Sequence, residues 1–344
     1  MKPRPALRKE ISIPGKAYAS DQEIRWCPGC GDYSILKQVQ AVLAEEDIPR
    51  EQIAFISGIG CSSRFPYYLN TYGMHSIHGR ATAIASGLRA LRPDLSIWVV
   101  TGDGDGLSIG GNHLIHLLRR NFNLNVLLFN NEIYGLTKGQ YSPTSPLGTV
   151  NKTAVWGTID PPFNPLSLAL GANATFIARG LDIDPALLKN ILKRANQHIG
   201  TSLVEIYQNC NVFNDGAFSV FTNKDTKLDS TIILEQDKPL IFGKEGEKGI
   251  VLDGFTPKVV ALAEVSKNDL WIHDEGDNIK ATLLSRFFDN PENNGFPRPM
   301  GVLYAINRPS YENLLHDQKE RAIKELGQGD LYSLFKGKNF WEAK

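Results

Sequence analysis

Apolar residues recur at two different spacings along the first two thirds of the chain. A helical spacing of three and four positions predicts helices over residues 34–43, 81–91, 112–120 and 185–197. Short continuous apolar runs predict strands over residues 53–57, 95–100, 124–129, 174–177 and 203–207. Because strands and helices alternate, we expect an α/β fold in which helices cover both faces of a mostly parallel sheet.

The pattern of polar and apolar positions changes near both ends of the chain. Residues 1–25 are polar and contain proline, which predicts a loosely packed N-terminal arm. Beyond about residue 221 the next segment is rich in charged residues and glycine, with few helical or strand signals. We therefore predict one α/β domain over residues 26–221, followed by an irregular C-terminal extension over residues 222–344 that wraps the core or a partner.

Composition narrows the classes of partner and the cellular location that we expect for the protein. The 37 Lys and Arg residues equal the 37 Asp and Glu residues, so no charge excess indicates a nucleic-acid or membrane partner. No apolar run approaches the roughly 18 residues of a membrane span, and no apolar signal segment follows the basic start. Four cysteines among 344 residues do not suggest a secreted disulfide scaffold, so we expect a cytoplasmic location.

Polar residues stand at the ends of two consecutive predicted strands. Asp103 lies between Gly102 and Gly104 after one strand, and Asn131 follows the next. Carboxylate and amide oxygens suit Mg²⁺, and the carboxyl ends of parallel strands meet at one edge of a sheet. The glycines allow phosphate to approach backbone N–H groups, and a turn at Ile133 offers a carbonyl oxygen. The Gly-Asp-Gly motif alone also fits a simple turn, and Asn131 alone also fits a strand cap. Because one predicted helix separates the two motifs, we favour a magnesium–diphosphate site.

The cysteines supply a second candidate site. Cys27 and Cys30 form a C-x-x-C hairpin, which fits a metal cluster, a zinc knuckle or a redox dithiol. Cys61 and Cys210 lie on turns at predicted strand ends, although either one alone also fits a small buried apolar residue. Together they make a complete set of thiolates for a 4Fe–4S cluster, with zinc as the chief competitor. No G-x-G-x-x-G opens a helix near the candidate diphosphate site, which argues against a plain dinucleotide fold.

The two sites together resemble a known family. The Gly-Asp-Gly motif closed by an Asn resembles the thiamine diphosphate enzymes, which implies that Asp103, Asn131 and the Ile133 carbonyl bind Mg²⁺. The segments WCPGCGDYSIL, SGIGCSSRFPYY, VVTGDGDGLSIGG and LLFNNEIYGLTKGQ resemble the β subunit of 2-oxoacid:ferredoxin oxidoreductases. The resemblance covers roughly residues 20–215, with weaker support near FPRPMGVLYAINRPSYE. It implies that all the cysteines ligate one 4Fe–4S cluster close to thiamine diphosphate.

This resemblance implies an activity and its partners. The expected reaction is the reversible, coenzyme A-dependent oxidative decarboxylation of 2-oxoglutarate to succinyl-CoA and CO₂, with one-electron transfers through the cluster to ferredoxin. Pyruvate or a broad range of 2-oxoacids is the alternative substrate, and a non-catalytic zinc scaffold with Cys₄ ligation is the second alternative. No domain that could supply the usual Glu to the aminopyrimidine ring is recognisable here, so we expect a partner α subunit in an αβ or (αβ)₂ enzyme.

Individual residues receive roles from the same resemblance. It implies that His78 contacts the cofactor and reacting atoms, although a helix-capping His is the alternative. Lys138 would pair with the second carboxylate of 2-oxoglutarate while Leu136 shapes the pocket; a solvated lysine, or one on a coenzyme A phosphate, is the alternative. The remaining expected cofactor contacts are Ile59, Gly60, Cys61, Ser62, Gly79, Gly102, Gly104, Asp105, Gly135, Leu136 and Thr137.

Overall fold

The computed structural model describes residues 15–287 and 295–341. Its strands are β1 (Ile53–Ser57), β2 (Tyr72–His75), β3 (Ser96–Gly102), β4 (Leu124–Asn130), β5 (Ile133–Tyr134), β6 (Gln140–Tyr141), β7 (Phe176–Leu181), β8 (Thr201–Tyr207), β9 (Thr231–Leu234), β10 (Ile241–Phe242), β11 (Lys248–Asp253), β12 (Thr256–Ala261) and β13 (Arg298–Ala305). Its helices are α1 (Asp32–Glu45), α2 (Ala81–Leu91), α3 (Asp103–Leu107), α4 (Gly111–Arg120), α5 (Pro165–Gly171), α6 (Pro185–Gln197), α7 (Ser219–Thr222), α8 (Lys227–Ser230), α9 (Asn278–Ser285), α10 (Tyr311–Leu326) and α11 (Leu331–Lys336).

One sheet of eight strands organises the molecule, in the order β2-β1-β3-β4-β8-β7-β13-β9. The first six strands in that order pair in parallel. Strand β13 pairs antiparallel with β7, and β9 pairs parallel with β13. The prediction of an α/β fold with a mostly parallel sheet is confirmed.

Helices cover both faces of this sheet. Along β4, Val126 and Leu128 enter the core that includes α2, α4 and α5, whereas Leu127 and Phe129 enter the core that includes α1 and α6. Because both faces of β4 are buried, its sequence is a continuous apolar run rather than an alternating one. Among the described residues, no helix combines the length and apolarity needed to cross a membrane.

Strand β7 shows why one prediction missed its boundaries. The apolar pattern predicts a strand over residues 174–177, but β7 runs from Phe176 to Leu181. Arg179 interrupts the apolar run and is nevertheless fully buried. Its Nε donates to Glu205 of β8 at 2.7 Å, and this ion pair allows a charged side chain inside the sheet.

The C-terminal region is more regular than the sequence predicts. Strands β9 and β13 complete the main sheet, and β13 is buried along almost its whole length. Strands β10, β11 and β12 form a separate antiparallel sheet. The extension predicted from residue 222 onward therefore contributes to the core, because β13 offers Met300, Val302 and Leu303 to it.

The two ends of the described chain can be compared with the predicted N-terminal arm and C-terminal extension. Residues 1–14 of the predicted N-terminal arm lie outside the described part of the chain, and the described remainder buries Tyr18 against the core around α1. At the other end, α10 is attached by a buried ion pair between Glu312 and Arg89 of α2, at 2.9 Å. Beyond Glu312 the side chains are almost all exposed. A role of this segment in wrapping a partner stays a prediction.

Candidate active site

A cavity of about 550 Å³ opens at the carboxyl ends of β1, β3 and β4. This is the edge at which parallel α/β sheets bind ligands. Its lining comes from the loops that follow β1, β2, β3 and β4 and from the turn between β5 and β6. The lining residues are Ile59, Gly60, Cys61, Ser62, His78, Gly102, Asp103, Gly104, Asp105, Asn131, Ile133, Tyr134, Gly135, Leu136, Thr137 and Gln140.

Asp103 is the buried acid of the cavity. It begins α3 directly after β3 and is only 2% exposed. Its Oδ2 accepts hydrogen bonds from the hydroxyls of Ser142 and Thr144, both at 2.5 Å. Burial raises the pKa of this carboxyl to about 6, against these two hydrogen bonds, which lower it. Because both hydroxyls bond the same oxygen, the carboxylate is held in one orientation and Oδ1 has no side-chain donor among the described residues.

Asn131 and Ile133 face the same cavity from the end of β4. Asn131 Oδ1 accepts from the Ile133 backbone N–H at 3.2 Å, and its Nδ2 donates to Gln208 Oε1 at 2.9 Å. Between them, Glu132 has a left-handed φ of 57°, which produces a sharp turn after the strand. The structure thus brings the predicted magnesium ligands to one cavity, and it supplies oxygens of the type that Mg²⁺ requires.

Gly104 shows how closely the cavity wall is packed. The Tyr134 hydroxyl donates to the Gly104 carbonyl at 2.9 Å. A Cβ at Gly104 would lie 2.3 Å from Cε1 of the Tyr134 ring, which is closer than real Cβ contacts. From the sequence, Gly104 is explained by the need for phosphate to approach the backbone. The structure gives a second reason, because the Tyr134 ring occupies the space that a side chain would need.

Asp105 ties three loops together. Its Oδ1 accepts from the backbone N–H groups of Ile59 (3.0 Å) and Gly79 (2.7 Å) and lies 2.8 Å from His78 Nδ1. Its Oδ2 accepts from the Thr101 hydroxyl at 2.6 Å. Both carboxylate oxygens are thus occupied by protein groups, so Asp105 orients these loops. The bond to Nδ1 leaves Nε2 as the ring nitrogen of His78 available to a ligand.

Hydrogen bonds join the three segments that carry the cysteines. The indole Nε1 of Trp26 donates to the Cys61 carbonyl at 2.7 Å. The amide of Asn211 donates to the Pro28 carbonyl at 2.6 Å, inside the C-x-x-C hairpin. That hairpin is closed by a bond from Cys30 N–H to the Cys27 carbonyl at 3.1 Å. The hairpin, the loop after β1 and the loop after β8 therefore form one connected wall.

Two thiols of this wall, those of Cys61 and Cys210, lie beside the cavity. A Cβ at Gly135 would lie 3.5 Å from the sulfur of Cys61 and 3.6 Å from that of Cys210. Burial raises the pKa of Cys61 to about 12, with further increases from Asp32 and the neighbouring thiols. Burial likewise raises the pKa of Cys30, and Cys27 is exposed. Within the described residues, no group of three or more His, Cys, Asp or Glu side chains is arranged to hold a single metal ion.

Two predicted contacts lie apart from the cavity lining. Lys138 is exposed in the turn after Leu136 and Thr137, and it has a left-handed φ of 77°. Gly79 donates its N–H to Asp105, and a Cβ there would lie 2.5 Å from the Gly110 nitrogen. Gly79 therefore supports the wall from behind rather than lining it.

Several residues of the site are not predictable from the sequence patterns. Ser142 and Thr144 hold Asp103, Tyr134 and Gln140 line the cavity, and Gln208 connects Asn131 to the cysteine wall. The dense hydroxyls of Ser142, Thr144 and Ser145 were the available signal for the first pair. No pattern in the sequence distinguishes Gln208 from an ordinary loop glutamine.

Comparisons with known proteins agree with this geometry. The family described as "Thiamine pyrophosphate enzyme, C-terminal TPP binding domain" matches residues 58–206. The chain is 50% identical to 2-oxoglutarate oxidoreductase subunit KorB of Mycobacterium tuberculosis, over 98% of this chain and 92% of that protein. It is 42% identical to 2-oxoglutarate synthase subunit KorB of Methanothermobacter marburgensis, over 54% of this chain and 65% of that protein.

A solved structure resembles nearly the whole chain. It is described as 2-oxoglutarate:ferredoxin oxidoreductase from Magnetococcus marinus with 2-oxoglutarate, coenzyme A and succinyl-CoA bound. The match has a TM-score of 0.77 at 34% identity and covers 97% of this chain and 99% of that one. The likeness therefore includes the C-terminal region as well as the cavity.

Proposed function

This chain belongs to the family of β subunits of 2-oxoglutarate:ferredoxin oxidoreductases, and on that premise we propose that it carries the thiamine diphosphate site of such an enzyme. The reaction is the reversible, coenzyme A-dependent oxidative decarboxylation of 2-oxoglutarate to succinyl-CoA and CO₂. The observation that supports it most is that Asp103 and Asn131 line the same cavity as Cys61. A non-redox decarboxylase needs no such thiol wall.

The metal ligands of the proposed site come from two strand ends. Asp103, Asn131 and the Ile133 carbonyl would hold Mg²⁺, which in turn would hold the diphosphate. The donor set fits, because Asp103 is fixed through Oδ2 by Ser142 and Thr144. Thiamine diphosphate, when bound, supplies the carbanion chemistry that cleaves the bond to the departing carboxylate. The described residues contribute orientation and a largely apolar enclosure.

The thiol wall would hold one 4Fe–4S cluster. Cys27, Cys30, Cys61 and Cys210 form the four-thiolate set that such a cluster requires. Cys27 is the exposed member, so electrons would leave the cluster on its side toward ferredoxin. A zinc site is the competing assignment, and the visible spectrum of anaerobically purified protein separates the two. Zinc protein is colourless, whereas a 4Fe–4S protein is brown.

Substrate recognition is assigned to the turn after β5. Leu136 and Thr137 line the cavity, and His78 points its free ring nitrogen toward a ligand in the proposed arrangement. Lys138 would reach the second carboxylate of 2-oxoglutarate from the rim. Because Lys138 is exposed and outside the lining, pyruvate or a broad range of 2-oxoacids is the alternative substrate.

The enzyme would be a heteromer located in the cytoplasm. The relatives are named as subunits, which supports a partner α subunit in an αβ or (αβ)₂ assembly. Exposed apolar side chains, including Leu147, Trp156 and Ile159, supply surface for that contact. Ferredoxin is the proposed electron acceptor.

Copurification with the α subunit tests the proposal. The complex is expected to reduce a dye only when a 2-oxoacid and coenzyme A are both present, with 2-oxoglutarate preferred over pyruvate. Lys138→Ala is expected to lower kcat/KM for 2-oxoglutarate by at least about tenfold while leaving pyruvate turnover unchanged, because it removes a charge-assisted contact. Lys152→Ala, which changes another exposed loop lysine, is the matched control. An unchanged preference for 2-oxoglutarate over pyruvate in Lys138→Ala would remove Lys138 from substrate recognition.

A further inference from the structure

Gln208 stands between the two candidate cofactor sites. It directly follows β8, whose last residue, Tyr207, pairs with Asn130 at the end of β4. The Gln208 backbone N–H continues this ladder by donating to the Asn130 carbonyl at 2.9 Å. Gln208 is only 1% exposed. The sheet register therefore places a buried amide beside Asn131.

The two ends of the Gln208 amide contact different sites. Its Oε1 accepts from Asn131 Nδ2 at 2.9 Å, and its Nε2 donates to the sulfur of Cys30 at 3.3 Å. The same Nε2 also donates to the Asn209 carbonyl. Asn131 cannot reverse its own amide without losing the bond from Ile133 N–H to Oδ1. The orientation of both amides is thereby determined, with the Gln208 oxygen toward the metal site and its nitrogen toward the thiol.

We propose that Gln208 is a positioning residue that couples the magnesium–diphosphate site to the iron–sulfur cluster. This inference rests on the proposed function. An outer partner of a metal ligand fixes the orientation of that ligand and tunes metal affinity. A hydrogen bond to a cluster sulfur stabilises the reduced, more negative cluster and so raises its reduction potential. One side chain that does both links the occupancy of one site to the redox state of the other.

Linkage makes the coupling reciprocal. When Mg²⁺ binds at Asn131 it polarises this amide, the chain of hydrogen bonds through Gln208 transmits the change to the bond at Cys30, and the cluster potential shifts. By thermodynamic necessity, reduction of the cluster then changes the affinity for Mg²⁺ by the same free energy. The coupling would set the reduction potential of the cluster to the value needed for electron transfer only when Mg²⁺ and thiamine diphosphate are bound.

Two variants separate the two ends of the amide. Gln208→Leu removes both hydrogen bonds, whereas Gln208→Glu keeps an acceptor for Asn131 and removes the donor to Cys30. Anaerobic αβ complex is to be titrated electrochemically with EPR detection, with and without Mg²⁺ and thiamine diphosphate. Mg²⁺ affinity is to be measured by calorimetry in the same preparations. Gln197→Leu is the control: it changes the last residue of α6, whose side-chain amide donates to Glu46.

The expected results differ between the variants. Gln208→Leu should weaken Mg²⁺ binding roughly 10- to 100-fold, lower the cluster potential, and reduce by more than half the shift caused by Mg²⁺ and thiamine diphosphate. Gln208→Glu should lower the potential with a smaller loss of Mg²⁺ affinity. Gln197→Leu should resemble the wild type in every measurement.

Several outcomes would overturn the inference. Wild-type potential and affinity in Gln208→Leu would do so, and so would a lowered potential whose cofactor-dependent shift is unchanged. If Gln208→Leu does not fold, an unaltered potential in Gln208→Glu overturns the inference equally. A wild-type complex that contains no iron would instead contradict the proposed function, so the two failures are distinguishable.

Discussion

Two parts of the site are built in opposite ways. The metal wall carries Asp103, Asn131 and Ile133, and the thiol wall carries Cys27, Cys30, Cys61 and Cys210. On the metal wall, Asp103 already has its hydrogen-bond donors and Asn131 is held at both ends of its amide. On the thiol wall, the half-buried Cys30 and Cys61 have pKa values that are raised chiefly by burial. Asp32, buried beside them, has its own pKa raised to about 7 by burial.

The difference indicates which wall is complete without its cofactor. The metal wall consists of strand ends and hydroxyl donors that hold their positions through protein contacts alone. The thiol wall joins three separate loops, and its sulfurs must release protons before they bind iron. We therefore expect the metal wall to be pre-organised, and the thiol wall to gain much of its stability from the cluster.

The largest expected effect is the loss of function without loss of fold at Asp103. Asp103→Ala should weaken Mg²⁺ binding by more than about 100-fold, beyond the range typical of outer partners, and abolish 2-oxoacid-dependent dye reduction. The cofactor-free protein should melt no earlier than the wild type, because a desolvated carboxylate is removed. Calorimetry and thermal melting measure both effects.

The exposed pair of Asp94 and Arg92 supplies the control for this substitution. Asp94→Ala removes a carboxylate from the surface and should leave Mg²⁺ affinity unchanged. Retained Mg²⁺ affinity in Asp103→Ala would break the comparison, since the metal wall would then be organised by other groups.

The thiol wall should respond in the opposite sense. Cys61→Ser should remove the cluster and lower the melting temperature of the iron-loaded protein, because the metal-binding free energy contributes to folding. Cys27→Ser, at the exposed ligand, should retain part of the iron and lose less stability. Iron content and thermal melting of anaerobic preparations measure this. Equal stability of Cys61→Ser and the wild type would show that the thiol wall is also complete without iron.

Regular apolar patterns were sufficient to predict the centre of the fold. The predicted bounds of β1, α2 and α6 equal the observed ones, because their burial follows the period of a single element. Strand β7 was misplaced because Arg179 is neutralised by Glu205, which is remote in sequence. Strand β13 was missed because Pro297 and Pro299 interrupt its apolar run, and because its burial depends on pairing with β7.

The residues of the candidate site also fall into two groups, those that the sequence pattern predicted and those that depend on tertiary contacts. Asp103 and Asn131 were predicted because each directly follows an apolar strand, and the resemblance to a known family supplied their roles. Ser142, Thr144 and Gln208 were missed because their contacts depend on how distant loops fold back onto strand ends. Periodicity carries information about faces of elements, whereas these bonds are set by tertiary structure.

A smaller effect is expected at the hydroxyls that orient Asp103. Thr144→Val should weaken Mg²⁺ binding roughly 10- to 100-fold, since the outer partner of a metal ligand is lost while the ligand remains. The Thr144 hydroxyl oxygen also lies 2.9 Å from Asn130 Oδ1, so one substitution affects both strand ends. Thr149→Val, in the same loop, removes a hydroxyl that bonds the Pro146 carbonyl and should have no effect. Iron content should remain unchanged in both variants, and a loss of iron in Thr144→Val would merge the two walls into one unit.

The smallest effect is a pH dependence confined to the metal wall. Burial raises the pKa of Asp103 to about 6, above its ordinary value, so the folded protein holds this proton more tightly than the unfolded chain does. The corresponding stability is fully present below about pH 4 and is lost as the pH rises through about 6. Mg²⁺ requires the ionised carboxylate, so its affinity should fall by up to about tenfold per pH unit below about pH 6. The cofactor-free protein should therefore lose stability between about pH 4 and 6 while the loaded protein gains it.

Asp103→Asn isolates this contribution, because it cannot titrate and keeps nearly the same shape. Glu132 also has its pKa raised, to about 8, chiefly by burial and then by the charge of Asp103, so it adds a slope of the same sign at higher pH. Melting temperatures of cofactor-free wild type and Asp103→Asn, measured from about pH 4 to 7, should diverge between about pH 4 and 6. Parallel curves over the whole range would mean that Asp103 is already ionised at low pH. The Ser142 and Thr144 hydroxyls would then hold the charge of Asp103 in place before Mg²⁺ arrives, and no proton would have to leave this carboxyl when the metal binds.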